Sequence, residues 1–224
     1  MPFTPPRSVK ATSALSVRYL MKDRGTFEWT PKPEVDGRLC PYVVLEGPLA
    51  KRVVGLSLIR EDLYAVREVF SRMQENTDDI VGNKALLFGA LSLYGKCFTQ
   101  AKGRGVNLDP KKVFQSSDAK ESHYRLMEMR HQFVAHGGNA REEKLKLLLL
   151  LDPDKNKKSM RDIVGRGLSA HGFDSQAKKE CLETVDEVLS FVEESLNEAS
   201  ASLSKNLSEK GVDWAYDHAI WPDT

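Results

Sequence analysis

Arg130, His131 and His136 fall within one short run, Arg-His-Gln-Phe-Val-Ala-His. A guanidinium grips phosphate oxygens in a two-pronged fork. An imidazole exchanges a proton near neutral pH. Together they suit phosphate chemistry, which needs proton transfer and stabilisation of charge on oxygen. A plainer reading stands beside it. Arginine or histidine at a helix C-terminus gains from the macrodipole whatever its role, and His136-Gly137-Gly138 also reads as simple capping.

The run closes a helix predicted over 117–136. Ser117 or Asp118 serves as its N-cap, Glu121 stands at capping-box distance, and Gly137-Gly138 ends it. At ~100° per residue, six positions turn His136 about 120° away from Arg130. One regular helix therefore does not aim both at one atom. The arginine's reach, a distorted last turn or a second protomer must close the gap. Two such helices meeting across a two-fold axis would do so, which predicts a homodimer. His123 and Arg125 lie two turns earlier and extend the same cleft.

Other helices must carry this one. Ile59, Leu63, Val66, Phe70 and Met73 form one stripe in a helix predicted over 50–76. Leu87, Ala90, Leu91, Tyr94, Cys97 and Phe98 do the same over 83–101, where Gly89 and Gly95 weaken the helix or permit close contact. Cys97 reads as a small apolar filler. Between 143 and 169 the pattern changes. Glu143–Leu151 and Met160–Ser169 read as a hairpin around Asp152-Pro153, although the leucines alone would equally allow a helix. A last helix starts near Ser175, with Leu182, Val185, Leu189, Val192, Leu196, Ala199 and Leu203 on one face. That face suits bundle packing or a dimer seam. The aromatic-rich tail from Gly211 to Trp221 is predicted to dock on the body.

Residues 1–50 hold most of the ten prolines and read as an extended arm, with short strands possible at Phe27–Thr30 and Tyr42–Leu45. The domain proper then spans 51–224, with the hairpin insert at about 143–169. The fold class is mainly α: an antiparallel helical bundle with a small β-hairpin insertion and an extended N-terminal arm.

A net charge of +1 leaves any nucleic-acid site to a local patch. Lys96, Lys102, Arg104, Lys111 and Lys112 form the clearest basic concentration, either a solvated loop or a contact for an RNA backbone. The three cysteines are scattered, so neither a disulfide framework nor a zinc site is expected. The N-terminus lacks the apolar core of a signal peptide, and the longest apolar run, Leu147–Leu151, is too short for a membrane span. A cytoplasmic protein without membrane contact fits these features. No phosphate-loop, dinucleotide, zinc-protease or nucleophile-elbow motif occurs, so no cofactor or metal is expected.

The sequence Leu126-Met-Glu-Met-Arg-His-Gln-Phe-Val-Ala-His-Gly137 resembles the Arg-polar-x-His motif of the HEPN superfamily, including AbiU/AbiV-like phage-defence and toxin-type proteins. The order of elements over roughly 50–203 is similar as well. The resemblance implies a HEPN-like helical bundle, usually dimeric. It also implies a metal-independent endoribonuclease of a toxin–antitoxin or phage-defence system, with RNA as substrate and a cognate antitoxin protein as partner. His136 would be the acid/base residue, Arg130 would neutralise the scissile phosphate and His131 would support them. Lys102, Arg104, His123 and Arg125 would contact RNA. The alternative is a non-catalytic module of the same fold that binds protein or nucleotide. One departure is Gly138, which stands where part of the family carries a tyrosine modified by a partner nucleotidyltransferase.

Overall fold

The computed structural model describes residues 33–100, 104–135, 141–154, 156 and 159–221. The Phe27–Thr30 segment, Lys102, His136, Gly137 and Gly138 lie outside the described residues. Among the described residues the chain is mainly helical, with two small antiparallel hairpins. The described residues divide into two compact units, one within 54–196 and one that holds 33–53 and 197–221.

In the larger unit, α1 (Pro48–Arg72) enters at residue 54 and runs to its end, followed by α2 (Ile80–Phe98). A short α3 (Pro110–Val113) leads to α4 (Ser117–Met129). Strands β3 (Glu143–Leu151) and β4 (Met160–Ser169) pair antiparallel, and α5 (Ser175–Asp217) begins after them. The predicted stripes form the core. Ile59, Leu63, Val66, Phe70 and Met73 are buried against Leu87, Leu91 and Tyr94 of α2 and Val185, Leu189 and Val192 of α5. This part of the α5 stripe is occupied by its own chain, so a dimer seam along it is not what the structure builds.

Helix boundaries follow from capping groups. Asp79 accepts from the Gly82 amide and starts α2 three residues earlier than predicted. Ser116, not Ser117 or Asp118, caps α4 by accepting from the Ala119 amide. Asp174, not Ser175, caps α5 through the Ala177 amide. The C-terminus of α1 is closed from a distance. Lys178 donates to the carbonyls of Ser71 and Met73 at 3.0 and 2.9 Å, and Asn83 clasps both the amide and the carbonyl of Gln74. Exposed carbonyls at a helix end need such donors.

The smaller unit holds a short hairpin, β1 (Glu34–Val35) and β2 (Arg38–Leu39), turned by Asp36-Gly37 with φ of 50° and 74°. The predicted Tyr42–Leu45 strand is reduced to a single bridge, in which Tyr42 and Ile220 exchange backbone hydrogen bonds. The tail thus pairs with the N-terminal segment of its own unit, rather than with the helical body on which it was expected to dock. Gly211, at φ 84°, breaks α5 ahead of it. Lys210 lies over the Trp214 ring, which stacks on His218.

Candidate functional site

The helix that carries the motif does not stay regular. After Met129 it widens into a π-helical turn, Arg130–Ala135. Its hydrogen bonds span one residue more than α-helical ones, an arrangement that is rare and concentrated at functional sites. The turn is held from below. Phe133 is buried and meets Phe88 of α2 edge-on, with centroids 4.9 Å apart. The Arg130 stem lies across Gly95, where a Cβ would stand only 3.0 Å from Arg130 Cγ. The close contact anticipated at Gly95 is therefore made by this arginine. Arg130 is half-buried, and His131 is exposed beside it.

Lys84 joins the turn to the hairpin. Its ammonium sits 5.4 Å from the Phe88 centroid and 5.5 Å from that of Phe133. It also donates to Ser169 Oγ at 2.8 Å and pairs with Glu143 at 3.6 Å. Sequence reasoning passed over Lys84. Its spacing of four residues from Phe88 was the available signal, since such positions are neighbours on a helix.

The RNA-contact residues predicted around the motif separate. His123 is buried, with Nδ1 2.9 Å from the Tyr94 hydroxyl and its ring against Phe98 and Phe114. Burial lowers its pKa to about 4 and raises that of Tyr94 well above its ordinary value. A neutral imidazole accepting the phenol proton satisfies both groups. His123 is a core residue and does not extend a cleft. Arg104 is corrected likewise. Its side chain is only 7% exposed and ion-paired with Asp62, itself 15% exposed and 3.3 Å from Lys96. A guanidinium so placed does not meet an RNA backbone. Arg125 is exposed but pairs with Glu180 at 3.1 Å, where Gln176 also donates. These hydrogen bonds, Gln176 foremost, hold the Glu180 carboxyl below its usual range.

Two further groups are inert. Burial pushes the Cys97 thiol up to about 12 and the Cys181 thiol up to about 11, so neither is a thiolate near neutral pH. Among the described residues no group of acidic, histidine and cysteine side chains is placed to hold a metal. No helix among them is long and apolar enough to cross a membrane.

The hairpin has two unlike faces. Leu145, Leu147, Leu149 and Leu151 oppose Gly167, Gly165, Ile163 and Met160 on one. Lys144, Lys146, Leu148 and Leu150 oppose Leu168, Arg166, Val164 and Asp162 on the other. A bulge before Leu151 sets Arg161 free of the register, and it pairs with Asp152 at the tip. Compared with protein-family models, curated proteins and solved structures, the chain matches none of them significantly.

Proposed function

We propose that the chain is a HEPN-like metal-independent endoribonuclease, of the kind that serves toxin–antitoxin or phage-defence systems. The observation that carries this reading is the π-helical turn at Arg130–Ala135, with Arg130 laid over Gly95. A wide turn is less favourable than a regular one, and it falls on Arg130 and His131, two of the residues suited to phosphate chemistry. In the proposed reaction His136 takes the proton of a ribose 2′-hydroxyl. The oxygen attacks the adjacent phosphorus, the bond to the 5′-oxygen breaks, and a proton returned to that oxygen leaves a cyclic phosphate and a free 5′-hydroxyl. Arg130 neutralises the phosphate as charge builds and His131 assists, so these side chains supply both proton transfer and charge stabilisation. RNA is the substrate, a homodimer the working form, and a cognate antitoxin protein its restraint.

Burial of His123 and Arg104 favours a second reading. It takes a guanidinium and an imidazole from the surface that RNA would meet and suits a non-catalytic module of the same fold. One experiment separates the two. Purified protein is incubated with bulk RNA in chelator beside Arg130→Ala and His136→Ala. The nuclease reading expects cyclic-phosphate ends from the wild type and a rate loss of about 100-fold or more in each variant. Equal cleavage by all three, or none by the wild type, selects the module.

A further inference from the structure

A lone two-stranded hairpin is marginal in water unless another layer covers it. The β3–β4 hairpin nevertheless exposes Leu145, Leu147, Leu149, Leu151, Met160 and Ile163, on one face, to between 50% and 76%. No charge interrupts this stretch. At its base Glu143 and Ser169 are bonded to Lys84, and at its tip Arg161 is paired with Asp152. The exposed apolar area is on the order of 700 Å², above what a monomer ordinarily leaves in water and close to the ~800 Å² per partner of a standard interface.

We infer that this face is covered by the same face of a second copy of the chain. Its relief is self-complementary. A row of leucines on β3 runs beside Gly165 and Gly167 on β4, and Leu145 of the same chain lies against both glycines, which leaves Leu147, Leu149 and Leu151 to meet a partner. A two-fold rotation about an axis along the strands sets β3 of each copy over β4 of the other, with Leu147 over the partner's Gly165 and Leu149 over the partner's Ile163, as an isologous contact requires. The two hairpins then form a two-layered sandwich, and Lys144, Lys146 and Arg166 stay in water on the outer faces. A lipid surface fits less well, because tip-first insertion would bury Asp152, Asp154 and Arg161. The contact lies on the side of the hairpin that rests on Lys84, whose ammonium also covers Phe133 of the motif turn. The inference rests on the exposed face alone and not on the ribonuclease reading.

Sedimentation equilibrium of the full chain tests it. The wild type is expected to be a dimer at micromolar concentration. Leu147→Glu buries two charges per dimer and is expected to raise the dissociation constant by about 100-fold or more. Gly165→Leu adds bulk to this face beside Leu145 and is expected to weaken the dimer as well. Lys146→Glu, on the opposite face, leaves it unchanged. Because Leu147 stands in water, its variant keeps the wild-type circular dichroism. A mixture of Leu147→Cys and Gly165→Cys chains is expected to form a disulfide between copies on mild oxidation. A monomeric wild type, a Leu147→Glu dimer as tight as the wild type, or a monomer that binds phosphatidylcholine–phosphatidylglycerol vesicles through this face would overturn the inference. Loss of RNA cleavage in Arg130→Ala with the dimer intact leaves it standing.

Discussion

The Arg130 side chain is laid so closely over Gly95 that a methyl group there would stand 3.0 Å from its Cγ, 3.1 Å from its Cδ and 3.2 Å from its Nε. Every atom met belongs to a flexible stem, so the arginine rather than the helix gives way. Alanine also favours a helix interior over glycine by about 1 kcal/mol. Gly95→Ala is therefore expected to hold or raise the urea midpoint while lowering RNA cleavage about tenfold, since displacing a positioned group costs rate. Unchanged cleavage would separate Arg130 from the chemistry.

His123 makes stability depend on pH. Its folded pKa of about 4 lies below the ordinary value of 6.5. Between those values the unfolded chain binds a proton that the folded chain does not. Stability is therefore fully present above pH 6.5 and is lost as pH falls toward 4, by up to about 3 kcal/mol. Urea unfolding of the wild type and His123→Phe at several pH values measures this. The variant is expected to lose the part of the slope due to this imidazole.

Lys84 holds the base of the hairpin to the motif turn through Ser169, Glu143 and two aromatic rings. Its partly exposed ion pair is screened by water, so Lys84→Met is expected to cost only about 1 kcal/mol. The local effect is larger. The Ala170 amide, bonded to the Glu142 carbonyl just beyond the ladder, is expected to exchange its hydrogen faster while core amides of α2 keep their protection.

Asp62 and Arg104 are unequal partners. Asp62 retains Lys96 when Arg104 is removed, whereas Arg104 loses its only ion pair among the described residues when Asp62 is removed. An uncompensated buried charge costs about 3 kcal/mol or more. Asp62→Ala is thus expected to lower the unfolding free energy clearly more than Arg104→Leu. Equal losses in denaturant titrations would contradict this asymmetry.

Periodicity made most of the scaffold legible. The spacing from Ile59 to Met73 marks the buried face of α1, and the strands of the hairpin run over the predicted residues because Asp152-Pro153 interrupts the apolar pattern between them. The Asp36-Gly37 turn carried a hairpin signal that was passed over. The π turn left no mark in the residue pattern, since one extra residue in a turn changes hydrogen bonding and not composition. Arg104 misled because its partner, Asp62, is 42 positions away. His123 misled for another reason. Its polar type suggested a surface, yet it stands three residues before Leu126 on the buried side of α4, where one phenol satisfies it.

The two carbonyls at the end of α1 wait on an ammonium that arrives 107 and 105 residues later. On the ribosome, α1 and α2 therefore emerge before that donor has been synthesised. Domains are made from the N-terminus at ~5–20 residues per second, so these carbonyls remain hydrated for several seconds at least. Closure of the larger unit waits until Lys178 has been made, and a chain stopped before Lys178 leaves the ribosome with that helix end unfinished.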